Sequence, residues 1–511
     1  MESSTSETEA LILQSQHSPS ANRDDPEYLH RASTTRRYPM LLETMKQIKL
    51  AGPIAGSFFS MYSLSIVTSM FIGHLGSLEL SSSTIALSLS SVSGYTLMLA
   101  FASGLETLCG QAFGAKKYPL LGIYLQAGCI VSLSMCIPIV ALWWNIEPIL
   151  VYMGEDEEIS RMAGLYLRWL SPSIFASAIE QVLVIYLQTQ NIVIPQFLSS
   201  VFTVILHVPT CFIVINKLDF GFIGGAISIC ASHFWNILFL LAWISLNSKT
   251  YAKTWRGLSR EAFGALPTFL KVAIPSTSMK CLEYWAYELM VPVAGLLPNP
   301  QFECSILYIA LGSAALTYMG SISLGAAVST RVSNELGAGH PYSARYAFSI
   351  GLLLVLVYTG TIGLIFIIFR NAWPLAFTND PLVVDTVAKW LPWVAATFLL
   401  EGVQSICSGV AKGCGWQHKG AWINLGSFYA IGYPLGVFYA FTLKWGAQGV
   451  WLGYYSGILV QMSIYSTVAF RTDWPKMVEI SRKLVNAPVK PFISSTAEQY
   501  QGRQEDAEVQ E

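Results

Sequence analysis

Long apolar stretches alternate with short polar ones from about residue 48 to residue 470. A helix that crosses a bilayer needs about 20 mostly apolar residues. The pattern predicts twelve such helices, near 48–72, 82–105, 121–145, 162–187, 193–216, 220–245, 267–295, 304–330, 344–369, 386–410, 418–442 and 446–470. The charged stretch from Lys249 to Arg260 divides them into two sets of six. The expected fold is an all-α membrane protein whose twelve helices form two pseudo-symmetric six-helix lobes. The expected organisation is a tail at 1–47, a first lobe at 48–245, a linker at 246–266, a second lobe at 267–470 and a second tail at 471–511.

The same run of landmarks occurs twice. Pro53 and Gly73 reappear as Pro275 and Gly295, a displacement of 222. Gln111-Ala-Phe-Gly-Ala reappears as Asn334-Glu-Leu-Gly-Ala at 223, and Trp169, Leu170 and Glu180 as Trp390, Leu391 and Glu401 at 221. Pro209, Gly221 and Gly224 match Pro434, Gly446 and Gly449 at 225. Repeats are read first because they fix architecture. Sets of six helices give both halves one orientation, so the repeat is parallel, and transporters built this way place their site where the halves meet.

Basic residues orient the chain. With both termini on one side, 23 of the 30 Lys and Arg fall on that side and six on the other, with Lys280 inside a span. Basic loops stay in the cytoplasm, so both termini are expected there. The outer loop from Glu147 to Glu158 reads as a solvated acidic loop. A hydrophobic content of 53% with only 12% charged residues sets the chain apart from soluble domains. The net charge of -1 gives no reason to expect a nucleic-acid partner. Nine cysteines without a CxxC pair predict neither a disulfide framework nor a metal site. Glu7, Leu11 and Ile12 form an acidic dileucine-like string that would suit sorting to a vacuole. Pro53, Pro275 and Pro292 fall in spans where a kink could serve bending or simple packing. The small-residue spacings Gly432/Gly436 and Gly449/Gly453/Gly457 read as close helix packing.

The informative residues are charges inside spans, since each costs at least about 2.5 kcal/mol there and is functional by default. The seventh span holds Lys280, Glu283 and Glu288, with Lys280 and Glu283 on one helical face. The tenth holds Glu401 near Gln404, and the fourth holds its repeat mate Glu180. Glu283 and Glu401 are the expected proton-coupling pair; Glu180, Glu288 and Lys280 are secondary. A Lys280–Glu283 ion pair that merely locks the helix is the bland alternative. Tyr284, Trp285, Tyr287 and Gln404 are candidates to line a cavity for flat organic molecules. His207 and His233 read as packing residues, and Glu106 as a cap for the loop that follows it.

Several stretches resemble plant members of the multidrug and toxic compound extrusion (MATE) family. They are Met70-Phe-Ile-Gly-His-Leu-Gly, Leu105-Glu-Thr-Leu-Cys-Gly-Gln-Ala-Phe-Gly-Ala-Lys, Gln188-Thr-Gln-Asn-Ile-Val-Ile-Pro, Cys281-Leu-Glu-Tyr-Trp, Arg331-Val-Ser-Asn-Glu-Leu-Gly-Ala-Gly and Ser408-Gly-Val-Ala-Lys-Gly-Cys-Gly-Trp-Gln. The resemblance implies an antiporter that exports organic molecules to the outside or into the vacuole against protons. It needs no cofactor beyond the proton gradient and works as a monomer in the lipid bilayer. It implies that Glu283 is the proton-linked residue. The family often has Asp or Asn where Glu401 stands. Bacterial relatives carry an Asp in the first helix, and no carboxylate lies between Gly52 and Gly73 here. A channel or organic-anion conduit on the same scaffold is the alternative; it would need rings of basic groups. A membrane enzyme working at His207 or His233 would need a nucleophile or metal beside them, and neither accompanies them.

Overall fold

In the computed structural model, residues 26–487 are described, with side chains from Met40 onward. The dileucine-like string at Glu7, Leu11 and Ile12 lies outside them. Twelve long helices run back and forth: α1 Pro26–Gly73, α2 Ser77–Gly114, α3 Tyr118–Trp144, α4 Glu157–Thr189, α5 Ile194–Lys217, α6 Gly221–Leu246, α7 Glu261–Glu288, α8 Pro300–Gly337, α9 Pro341–Ile368, α10 Pro381–Cys414, α11 417–442 and α12 Gly446–Phe470. A thirteenth, α13 (Trp474–Asn486), follows the last span. Among the described residues nine helices are long and apolar enough to cross a membrane by composition alone. The other three are α7, which carries Lys271, Lys280, Glu283 and Glu288, and α11 and α12, which are rich in Gly, Tyr and Ser.

Several helices reach beyond their expected bounds. α1 starts at Pro26, inside the stretch read as a tail, and α2 starts at Ser77. Asp156 caps α4 by accepting from the amides of Glu158 and Ile159, and Asp380 caps α10 through Leu382. The acidic loop between α3 and α4 is tied by an exposed Glu147–Arg168 pair at 3.3 Å. Large apolar side chains such as Ile137, Val357, Leu364 and Ile368 stand exposed on the outside, as a lipid-facing surface requires.

The seventh span runs unbroken through Pro267 and Pro275 and breaks at Leu289, before Pro292. π-helical turns interrupt other spans, and two of them are repeat mates: Phe212–Lys217 in α5 and Phe438–Thr442 in α11. Each follows a proline, Pro209 or Pro434, which cannot donate the amide that a regular helix needs. The small-residue spacings are packing contacts. A Cβ on Gly453 would overlap the Gly436 backbone, so α11 and α12 cross at van der Waals distance.

The core divides in four, two clusters per lobe. The first helix of each lobe crosses the seam: α1 packs on α5 of its own lobe and on α8, while α7 packs on α11 and on α2. Thus Leu50, Ala51 and Ile54 belong to a cluster of the second lobe, and Ala265, Phe269 and Ala273 to one of the first. α13 lies under the end of the bundle where α1 and α7 begin. Its Trp474 and Val478 pack into the second lobe, and Leu484 and Asn486 reach the first.

Candidate functional site

Glu283 and Glu401 are buried near the middle of the second lobe and share one electrostatic neighbourhood with Tyr454. Each carboxylate has one oxygen held by a tyrosine. Tyr318 of α8 donates to Glu283 Oε1 at 2.8 Å, and Tyr455 of α12 donates to Glu401 Oε1 at 2.5 Å. The other oxygen of each, Oε2, is buried without a partner. Gln404, one turn beyond Glu401 on the same face, has an unpartnered buried Nε2. Buried polar atoms are nearly always paired, and these three keep hydrogen-bonding capacity that other side chains do not use.

Lys280 and Glu283 do not form the ion pair that their spacing allows. Lys280 instead reaches the Tyr318 hydroxyl at 3.5 Å, its ammonium 5.7 Å from the ring centroid. Tyr318 therefore stands between cation and carboxylate. Of the aromatic candidates, Tyr284 and Trp285 face α2: the Tyr284 hydroxyl meets Ser91 Oγ at 2.7 Å, and Trp285 Nε1 donates to the Val92 carbonyl at 3.1 Å. Glu288 lies beside Tyr284 and Ser88 on the same seam. Tyr287 turns the other way, donating to the Leu311 carbonyl and packing into the second-lobe core.

In the first lobe, Glu180 is held by His233 at 2.9 Å and by Asn236 at 3.0 Å. A single sequence shows His233 as a lone histidine on an apolar helix, because its partner sits 53 residues away on α4. The i, i+3 spacing of His233 and Asn236 was the available signal. His207, by contrast, is a satisfied packing residue between Thr68 and Ser232.

Among the described residues the hydrogen bonds between the lobes concentrate at the end where α1 and α7 begin. Arg331 of α8 grips Glu43 of α1 through Nε and Nη2, both at 3.0 Å, and also holds Glu335. Glu106, expected to cap a loop, reaches across to Lys412 at 2.8 Å instead. Gln111 donates to the Gly413 carbonyl, and Thr107 to that of Lys412. At the centre of this seal the repeat mates Gly114 and Gly337 meet: a Cβ on Gly114 would overlap the Asn334 carbonyl, and one on Gly337 would overlap the Gln111 carbonyl. The pseudo-two-fold axis runs between them.

A duplicated twelve-helix bundle sealed at one end, with half-satisfied carboxylates inside, defines a membrane transporter. The sequence profile described as MatE matches residues 53–213 and 275–438, starting points 222 apart and end points 225 apart. The chain belongs to the MatE family. It is 41% identical to Protein DETOXIFICATION 17 of Arabidopsis thaliana over 85% of this chain and 91% of that protein. It is 40% identical to Protein DETOXIFICATION 16 of the same plant over 84% and 89%. The crystal structure of the eukaryotic MATE transporter AtDTX14 superposes with a TM-score of 0.84 at 36% identity, covering 87% of this chain and 99% of that one. An outward-facing multidrug resistance MATE transporter of the MOP superfamily shares the fold with a TM-score of 0.75 at 16% identity, covering 86% and 97%. The relatives are transporters and not enzymes.

Proposed function

We propose that the protein exports amphipathic organic compounds from the cytosol in exchange for protons, with Glu283 and Glu401 as the coupling groups. The observation that carries this reading is the pair of buried carboxylates, each with one oxygen held by a tyrosine and one without a partner. A carboxylate in that state is completed by a proton or by a donor on a bound substrate. The two ligands then compete, and alternating access follows if each favours a different state of the lobes. Protonation from the acidic side releases substrate, and loss of the proton to the cytosol restores the site. The unpaired Gln404 amide supplies a neutral donor beside Glu401. Tyr284 and Trp285, on the seam with α2, are placed to contact a flat substrate that enters between the lobes.

The basic-residue count supports cytoplasmic termini, so the sealed end faces the cytosol. The chain acts as a monomer in the vacuolar or plasma membrane, which a fluorescent fusion would distinguish. In proteoliposomes, an imposed pH gradient should drive uptake of organic cations, and Glu283→Gln should remove that drive. Wild-type uptake by the Glu283→Gln variant would refute the coupling role. Current that persists without a gradient would favour the conduit instead.

A further inference from the structure

We propose that the first lobe carries a proton-binding site of its own, the imidazole–carboxylate pair of His233 and Glu180, which takes up a second proton in the transport cycle. The inference rests on the reading of Glu283 and Glu401 as coupling groups. It begins with the repeat. Glu180 occupies the position of Glu401, and Tyr95 that of Tyr318, displaced by 221 and 223 residues. The first lobe therefore keeps the carboxylate and the tyrosine of the second. At the place of Glu283 it has Met61, whose sulfur lies 3.5 Å from Asn236 Nδ2. At the place of the buried, apolar Ile458 it has His233.

The two carboxylates are satisfied differently. Both oxygens of Glu180 are taken, Oε2 by His233 Nδ1 and Oε1 by Asn236 Nδ2. Because an ionised carboxylate only accepts, Nδ1 carries the hydrogen and Nε2 is left to accept. Among the described residues Nε2 makes no hydrogen bond, and the His233 side chain retains 10% exposure against 4% for Glu180. The Tyr95 ring stacks on the imidazole, centroids 5.0 Å apart at 17°, and fixes its plane. A tie meant only to hold Glu180 needs an amide or a hydroxyl; imidazole is the donor that also exchanges a proton near neutral pH. A hydronium ion on the acidic side gives its proton to Nε2: one O–H bond breaks, one N–H bond forms, a water molecule leaves, and the pair passes from a net charge of minus one to an imidazolium–carboxylate of zero charge. The other titratable groups nearby are Tyr95 from α2, Cys230 on α6 and His207 on α5, the last already bonded to Thr68 and Ser232. Among the described residues no Lys or Arg pairs with Glu180.

The test is nitrogen NMR on the full chain with labelled imidazoles in lipid nanodiscs, the His233 signals assigned by their loss in His233→Gln. The expected result is a His233 Nε2 signal that passes from the unprotonated to the protonated form on acidification, a change that Glu180→Gln alters and Glu180→Asp preserves. A His233 ring that keeps one form throughout would overturn the proposal, as would a titration unmoved by Glu180→Gln. With ethidium as transport probe, protons moved per ethidium should fall from about two in the wild type to about one in Glu180→Gln. An unchanged ratio overturns the second proton. Ethidium transport that ignores the pH gradient in the wild type counts against the function proposed above, and leaves the NMR result to decide the pair.

Discussion

Arg331 holds both carboxylate oxygens of Glu43 at 3.0 Å and so ties α8 to α1 across the seam between the lobes. The pair is buried, and Glu335 also binds the guanidinium. Removing one member of a buried pair strands the other, at a cost of about 3 kcal/mol. Arg331→Ala should therefore destabilise more than Glu43→Ala, because it takes the guanidinium from two carboxylates, leaving Glu43 only Gln47 and Glu335 only His340, whereas the second change leaves Arg331 its Glu335 partner. Thermal unfolding of the detergent-solubilised variants measures this; equal midpoints for all three proteins would show that the tie holds nothing.

Tyr455 and Glu401 form a second test. Among the described residues the hydroxyl is the carboxylate's one hydrogen-bond partner, and such a bond contributes about 0.5–1.5 kcal/mol. Tyr455→Phe and Glu401→Gln should each lower the unfolding midpoint or the pH-driven transport rate. The double variant should lose less than the sum of the two. Additive losses would mean that the two side chains act independently.

Gly337 lies where the two lobes touch backbone to backbone. Gly337→Val forces them apart, with overpacking of this kind costing about 1–3 kcal/mol. The sealed end should then open more often. Cys414, buried at the same end of α10, reports on it. With the other cysteines replaced, maleimide should label Cys414 about tenfold faster in Gly337→Val than in the parent, the change expected for a shift of about 1.4 kcal/mol between the two states. An unchanged rate would place the opening elsewhere.

Tyr318 separates Lys280 from Glu283 and touches both. Tyr318→Phe leaves the two charges free to pair directly. Proton-driven uptake should fall by about tenfold while the unfolding midpoint holds or rises, since a direct ion pair replaces the mediated one. A loss of stability with normal transport would make Tyr318 a structural residue.

The architecture was legible because it is written in features that need no partner: twelve apolar stretches, two equal sets, landmarks at a near-constant displacement. The glutamates stood out for the same reason, as charges in hydrocarbon. What a single sequence leaves unread is which side chains meet. Lys280 and Glu283 share a helical face, yet a tyrosine 38 residues from Lys280 intervenes. His233 looked solitary because Glu180 comes from another helix, and Glu106 looked local although its partner, Lys412, is 306 residues away. The tight glycine contact was visible only as a repeated Gly-Ala; that the two copies press on each other follows from the axis, which the spacing does not give.

α13 grips the second lobe with Trp474 and Val478 and the first with Leu484 and Asn486. A helix of that length is a rod of about 20 Å that does not stretch. It sets the spacing of the two lobes at the end where α1 and α7 begin, much as a tie-beam sets the span of a roof. The lobes can part there only if one end of the rod lets go. The weaker anchor is the solvent-exposed one, where Asn486 meets Lys117 at 2.5 Å, so the beam is hung from the second lobe and latched to the first.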